Sequence, residues 1–141
     1  MGMYTELVLG AEIENNPDVI SIIKYMLGES NVKPQLPEHS LFKTDRWKYM
    51  LHCDSYYFAG TTHSNLKCDT TLGIRYFLTI RSNLKNYDSE IEKLLDWLCP
   101  YIKTYGFLGY KRYEEFEDPT LIYKEYGTIQ FRSIYGMKIY D

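Results

Sequence analysis

The sequence has few cysteines, only a small excess of charge of one sign and no long apolar run. Its 141 residues include three cysteines, an odd number. No basic and apolar leader is recognisable, so we expect a reduced cytoplasmic protein rather than a disulfide framework. No apolar run approaches the roughly 20 residues of a membrane helix. A net charge of -3 with mixed signs lacks the basic face of a nucleic-acid binder. We therefore expect neither a membrane nor a nucleic-acid partner.

Residues that usually carry catalysis or bind metals are also sparse. His52, Cys53, His63 and Cys68 are chemically suited to zinc, but their spacing lacks the closely paired ligands that one turn can hold. No local motif marks a cysteine nucleophile, and the paired H-x-[ST] strands of two-histidine phosphoesterases are missing. We therefore expect no metal and no cofactor, and no catalytic residue is identified by motif. Catalytic groups that only the fold assembles stay open as an alternative.

A strand-turn-helix unit occurs twice, at a shift of 71 residues. Apolar residues alternate over 7–13 and 74–80 and then recur at helical spacing over 20–27 and 91–98. Each copy therefore predicts a strand followed by a helix. An internal duplication and a chance likeness of two such units both explain the repeat.

The ends of the two helices are marked by their own signals. Asn16 followed by Pro17 predicts the start of the first helix, and Ser89 with Glu92 has capping-box spacing at the start of the second. Gly28 and Pro100 are expected to end them.

The remaining segments predict strands and two irregular loops. Strands are expected over 46–53, 55–59, 107–115 and 121–126, with an edge strand over 128–140, and loops over 30–45 and 60–71. This order predicts one α+β domain over residues 1–141. Its sheet is largely antiparallel, both helices lie on one face, the repeat strands are central neighbours, and the topology leans towards a ferredoxin-like fold.

Alternation assigns the two repeat strands a helix-facing side and a side that no helix is left to cover, which we call the open face. The helix-facing residues are expected to be Leu7, Leu9, Ile13, Ile74, Leu78 and Ile80; the open face is expected to carry Tyr4, Glu6, Val8, Gly10, Glu12, Arg75, Phe77, Thr79 and Arg81. Ordinary cross-strand ion pairs explain these charges. Alternatively, Gly10 leaves a hollow where a ring stacks beside Phe77 while the arginines hold an anion. A third explanation of the open face is that two copies of the chain associate through it.

Outside the open face, candidates lie in the loops and in one acidic run. His39 lies in the first irregular loop and His63 in the second, where contacts to a ligand are favoured, and Arg46 directly follows the first loop at the start of the predicted strand 46–53. The run 113–118 (YEEFED) is explained either by a metal or basic-partner site or by a solvated hairpin tip.

Three stretches resemble a group of small uncharacterised proteins encoded by bacteriophages and by prophage or gut-bacterial genomes. They are MYTELVLG at 3–10, DRWKYM at 45–50 with SYYF at 55–58, and RSNLKNY at 81–87. The resemblance implies an accessory protein of the host-phage contest, acting in the host cytoplasm. Such a protein blocks a host protein or sequesters a signalling nucleotide. The group has no assigned activity, so no catalytic residue is transferred.

Two function classes follow. The first is a non-enzymatic binding module, expected to be a homo-oligomer, that holds a small anionic or aromatic ligand or a host protein. Its expected ligand-binding residues are Glu6, Arg75, Phe77, Arg81, His39, Arg46 and His63. The second is a small hydrolase acting on a nucleotide-like substrate with His39, His52 or His63 as acid-base groups. The missing motif favours binding.

Overall fold

The computed structural model describes residues 4–51 and 64–139. The two helices are α1 (Pro17–Met26) and α2 (Glu90–Leu98). The strands are β1 (Thr5–Ile13), β2 (Asn65–Asp69), β3 (Arg75–Leu84), β4 (Gly106–Tyr113), β5 (Thr120–Glu125), β6 (Thr128–Arg132) and β7 (Lys138–Ile139). Among the described residues, no helix is long and apolar enough to cross a membrane.

The strands form one antiparallel sheet in the order β2-β3-β1-β4-β5-β6-β7. The predicted α+β class is confirmed, and so is the pairing of the repeat strands, in which Leu9 lies opposite Ile80. Strand β3 lies between β1 and β2, which run in the same direction. In the same way, β1 lies between β3 and β4, which also run in the same direction. This order leans towards the two split β-α-β units of a ferredoxin-like fold, and β5, β6 and β7 extend the sheet on one side.

The core lies between one face of the sheet and the helices. Leu7 and Leu9 of β1, Ile80 of β3, Ile23 of α1 and Leu94 of α2 are buried in the same cluster. Because successive strand residues point to opposite faces, both helices cover the face on which Leu7 and Leu9 lie.

The assignment of Ile74 to this face was wrong. Ile74 is 56% exposed and precedes β3, which begins at Arg75. The segment before it makes only an isolated bridge between Thr71 and Gly73. Ile74 therefore precedes the ladder in which alternation would have assigned it a face.

The ends of α1 follow the sequence signals. The Asn16 Oδ1 accepts hydrogen bonds from the amides of Asp18 and Val19, at 3.1 and 3.3 Å. Gly28 has φ 79°, and its amide donates to the Tyr25 carbonyl while the next amide donates to Lys24. These two bonds make a Schellman motif, for which a residue without Cβ is favoured.

The expected capping box at the start of α2 was wrong. Ser89 has φ 54° and makes no side-chain cap, because an N-cap residue needs extended backbone. The Asn86 Oδ1 instead accepts from the Ile91 amide at 2.9 Å, and Asn86 Nδ2 lies 3.4 Å from Glu92 Oε1. Asn86, Asp88 and Ser89 all have positive φ, so the chain reverses sharply before the helix.

The described part of the predicted strand 46–53 is not a strand. Residues Ser40–Lys43 and Trp47–Tyr49 form 3₁₀ turns. Trp47, Met50 and Leu51 are buried in the core cluster. The spacing of Trp47 and Met50 is helical rather than alternating, so the segment packs over the helix layer. The predicted strand 55–59 lies outside the described residues.

Two further segments differ from expectation at the sheet edges. The predicted loop 60–71 contains β2, which pairs with β3 and whose largely polar, exposed residues show no apolar alternation. The predicted edge strand 128–140 is divided into β6 and β7, which are antiparallel to each other around the turn at 133–136. The predicted hairpin of 107–115 with 121–126 is confirmed as β4 and β5.

Candidate functional site

The open face carries the predicted alternating residues of β1 and β3. Val8 lies opposite Arg81, Gly10 opposite Thr79, and Glu12 opposite Phe77. Among the elements that the structure describes, both helices lie on the other side of the sheet.

Ion pairs neutralise much of the charge on the open face. The Arg75 guanidinium donates from Nη2 and Nε to Glu12 at 2.9 and 3.2 Å, and Lys103 Nζ lies 3.4 Å from the same carboxylate. The hydrogen bond from Arg75 lowers the pKa of Glu12, and the reciprocal bond raises the pKa of Arg75. The same guanidinium lies over the Phe77 ring, 5.0 Å from its centroid. The ion-pair explanation is therefore confirmed for Arg75 and Glu12.

Glu6 has a different partner from the one that the repeat suggested. Its register neighbour on β4 is Arg112, whose Nε lies 3.8 Å from Glu6 Oε1. Arg81 is paired in register with Val8. The sequence pattern could not indicate Arg112, because strand order decides which arginine adjoins Glu6.

Apolar and aromatic residues cross the middle of the open face. Val8 on β1 lies opposite Tyr110 on β4, and Tyr110 lies opposite Leu121 on β5. Beside them, the rings of Phe107 and Tyr123 are 5.5 Å apart in an edge-to-face arrangement. Phe107 is 54% exposed, and the other four are half-buried. We call these five residues the apolar strip.

Two further features characterise this face. Gly10 borders open space, since a Cβ built there has no heavy atom within 4 Å. Burial raises the pKa of Tyr110, and the Glu6 carboxylate raises it further, so the phenol keeps its proton as a hydrogen-bond donor.

The candidates His39 and Arg46 lie on the helix layer and not with the open-face residues. The Leu41 amide donates to His39 Nδ1 at 3.0 Å, which leaves the proton on Nε2, 2.8 Å from Asp96 on α2. Arg46 donates to the Glu90 carboxylate at 3.0 Å and lies over the Tyr87 ring. Both residues attach the 40–51 segment to α2. His63 lies outside the described residues.

Glu90 and Cys99 are the buried titratable groups of this layer. Burial raises the pKa of Glu90, while the Arg46 guanidinium opposes the increase. Burial also raises the pKa of the Cys99 thiol, whose Sγ lies 3.4 Å from the Gly127 carbonyl. Cys99 is therefore a thiol rather than a thiolate nucleophile. Within 4–51 and 64–139, no group of three His, Cys, Asp or Glu residues could hold a metal ion.

A cleft of about 780 Å3, which we call the end cleft, lies where the β4–β5 connection meets the β6–β7 turn. Its lining includes Glu115, Phe116, Glu117, Asp118, Ile134 and Tyr135. The volume is within the usual range for small-molecule sites. The acidic run 113–118 was the sequence signal for one wall. The other wall comes from a distant segment, so the sequence analysis did not locate the cleft.

Comparisons with known proteins found no matching family model, no matching curated protein and no matching solved structure.

Proposed function

We propose that the chain is a non-enzymatic, homo-oligomeric binding protein whose open face contacts another protein surface. The observation that carries this proposal is the apolar strip, which crosses β1, β4 and β5 on the side opposite the helices. Interface cores are rich in aromatic residues and poor in charge, while their rims are polar. The strip has this composition, and Arg75, Arg112 and Glu12 lie around it as ion-paired residues.

In purified protein, we expect a second copy of the chain to bind the open face, because of the charges on that face. The face carries cations and carboxylates in nearly equal number, so two copies meet without strong like-charge repulsion. At about 3.4 Å per residue and about 4.8 Å between strands, the seven strands, which contain from two to ten residues each, give a face of roughly 700 Å2. This is close to the ~800 Å2 that each partner contributes to a standard interface.

Binding is favoured over hydrolysis by what His39 does, the one candidate acid-base histidine within the described residues; His52 and His63 lie outside them. Both ring nitrogens of His39 are engaged, one as the acceptor of a turn amide and the other at Asp96. A general base needs a nitrogen that can take up a proton from substrate. The Cys99 thiol is buried and hydrogen-bonded, and its raised pKa makes it a poor nucleophile.

An accessory role of the phage type belongs to the same proposal. The partner in the cell is then a host protein, and its binding surface competes with the second copy for the open face. We place this contact in the host cytoplasm.

Sequestration of a nucleotide-like ligand is the second candidate, because Gly10 leaves open space beside the half-buried Phe77 ring. It is less favoured, since the Arg75 guanidinium already donates two hydrogen bonds to Glu12. An anionic ligand must displace that carboxylate or use another cation.

Sedimentation velocity over a range of concentrations tests the favoured proposal. We expect the wild type to form dimers, and we expect Leu121→Glu to be monomeric because it places a charge within the apolar strip. Val32→Glu is the matched control, since Val32 is exposed and lies in the loop after α1. Circular dichroism checks that both variants fold. A wild type that is monomeric at every concentration contradicts the proposed occupant.

Incubation with a panel of nucleotides separates the other candidates. Release of intact nucleotide on denaturation indicates sequestration, whereas an altered nucleotide indicates catalysis. The double variant Arg75→Glu, Arg81→Glu should abolish binding in the first case. If neither nucleotide binding nor turnover is observed, both nucleotide candidates are rejected.

A further inference from the structure

The end cleft is lined by aromatic and apolar side chains that are largely exposed. Phe116 is 62% exposed and Tyr135 is 78% exposed, and both line the cleft, Phe116 from the β4–β5 connection and Tyr135 from the β6–β7 turn together with Ile134. The Phe116 ring meets Tyr113 edge to face, with centroids 5.4 Å apart. Ring surface on both walls is therefore available to a ligand.

Hydrogen bonds fix both walls of the cleft. Arg112 Nη1 donates to the Phe116 carbonyl at 2.7 Å, and the Phe116 amide donates to the Tyr113 carbonyl at 2.9 Å. In the opposite wall, the Ser133 Oγ accepts from the amides of Tyr135 and Met137, both at 3.2 Å. Walls held in this way need little reorganisation when a ligand binds.

The charge of the cleft is negative, because the two cations that line it are paired with carboxylates outside its lining. Glu115, Glu117 and Asp118 make no ion pair among residues 4–51 and 64–139. The two cations of the lining face other carboxylates: Lys111 lies 2.8 Å from Glu92, and Arg112 lies 3.8 Å from Glu6. Three carboxylates therefore dominate the potential inside the cleft.

The protonation of Tyr113 agrees with this potential. Desolvation raises the pKa of its phenol, and the Glu115 and Glu114 carboxylates raise it further. A carboxylate acts in this direction only when it lies close enough to oppose a second negative charge.

The carboxylates do not form a metal site. Among the described residues, no three acidic, histidine or cysteine side chains come close enough to share an ion. Negative charge spread around aromatic rings suits a larger cation whose charge is carried on an organic group. Ammonium and guanidinium groups are attracted to ring faces as well as to carboxylates.

We propose that the end cleft binds an organic cation of the alkylammonium or guanidinium class, held between the Phe116 and Tyr135 rings and neutralised by Glu115, Glu117 and Asp118. The site lies at the β4–β5 and β6–β7 turns, apart from the apolar strip. This proposal therefore goes beyond the proposed contact through the open face and does not depend on it. The cation is supplied either by a free polyamine or by a lysine or arginine side chain of a peptide.

Titration of the full chain with two probes tests the proposal and distinguishes these sources. Spermidine represents the free polyamine, and a short capped peptide of glycine, lysine and arginine represents the side chain. Amide chemical shifts of residues 113–119 and 133–137 report where each probe binds, and calorimetry reports the affinity. Spermidine binding alone assigns a polyamine, peptide binding alone assigns a side chain, and binding of both assigns the shared cationic group.

Variants separate ring contacts from general electrostatic attraction. Phe116→Leu should weaken binding about fivefold, because it keeps the apolar volume but removes the ring face. Tyr135→Leu should act in the same direction, and Glu117→Gln with Asp118→Asn should weaken binding and reduce its dependence on salt. Tyr105→Leu is the matched aromatic control, because Tyr105 is 66% exposed and lies just before β4, at the end of that strand away from the cleft. It should leave the affinity unchanged.

Three results overturn the proposal. One is the absence of shifts in residues 113–119 and 133–137 at millimolar concentrations of both probes. Another is an equal response to Mg²⁺, which indicates only diffuse attraction to the acidic run. The third is an equal loss of affinity in Phe116→Leu and Tyr105→Leu. A chain that binds either probe yet sediments as a monomer supports the end cleft and rejects only the open-face dimer.

Discussion

The two faces of this sheet use the same strands for different purposes. On β1, Leu7 and Leu9 are buried under the helices, whereas Glu6 and Glu12 carry ion-paired charge on the open face. Side chains one position apart therefore meet either a packed core or a polar surface with an apolar strip. Stability is concentrated on the helix side, whereas the two proposed binding surfaces are the open face and the end cleft.

The largest expected contrast is between two neighbouring residues of β3. Leu78 is buried against the helices, so Leu78→Ala should lower the free energy of unfolding by about 2–5 kcal/mol. Thr79 is exposed on the open face, and Thr79→Ala should cost about 1 kcal/mol or less. Urea unfolding followed by circular dichroism measures both. Equal losses would mean that the open face is packed as tightly as the core.

Two glycines on neighbouring strands extend the contrast to the backbone. A Cβ on Gly109 would lie 2.7 Å from the Leu9 Cα and still closer to the Val8 carbonyl, so β1 and β4 must separate. Gly109→Ala should therefore cost about 1–3 kcal/mol. Gly10→Ala enters open space and should leave the stability unchanged or raise it by up to about 1 kcal/mol. Thermal unfolding of both variants checks this order, and a neutral Gly109→Ala would contradict the close strand approach.

The sharp turn before α2 tests which side chain caps the helix. Asn86→Ala removes the acceptor of the Ile91 amide and should cost about 1–2 kcal/mol. Ser89→Ala, the change that a capping box predicts to be costly, should cost about 0.5 kcal/mol or less because Ser89 is exposed and makes no cap. Chemical denaturation of the pair distinguishes the two caps, and the reverse order would restore the capping box.

The smallest expected effect is an opposite response of the two layers to acid. Arg75 lowers the pKa of Glu12, so the stability from this carboxylate is lost as the pH falls below the ordinary glutamate pKa of about 4.3. Burial raises the pKa of Glu90, so protonation of Glu90 stabilises the folded chain as the pH is lowered from neutral towards that value.

Unfolding of the wild type, Glu12→Gln and Glu90→Gln at several pH values measures how the free energy of unfolding of each changes with pH. The advantage of the wild type over Glu12→Gln should shrink in acid, whereas its stability relative to Glu90→Gln should rise. Slopes of the same sign would show that Glu90 does not carry the burial penalty.

Much of the fold was predictable because it rests on local patterns. Alternation around Leu7 and Leu78 identified β1 and β3, which are neighbours as predicted although the middle strand of the sheet is β4, and Asn16 with Pro17 identified the start of α1. The 40–51 segment and β2 were not recognised, since Trp47 is buried by the helix layer and β2 is a polar edge strand. Their conformations depend on neighbours that are distant in sequence.

The candidate sites, like the fold, could be predicted only in part from the sequence. Alternation predicted the open face and the open space at Gly10, but it could not choose Arg112 as the neighbour of Glu6. His39 and Arg46 were predicted as ligand contacts outside the open face, and both attach the 40–51 segment to α2.

What the sequence by itself determined is the periodicity of each element, because side-chain spacing along a strand or helix is set by local backbone geometry. It was sufficient for the α+β class, for the two helices and for the polarity of each side of β1 and β3. Only the tertiary structure decided the order of the strands around the paired β1 and β3, the apolar strip and the end cleft. Each of these joins residues from separate segments, and no local pattern specifies which segments become neighbours.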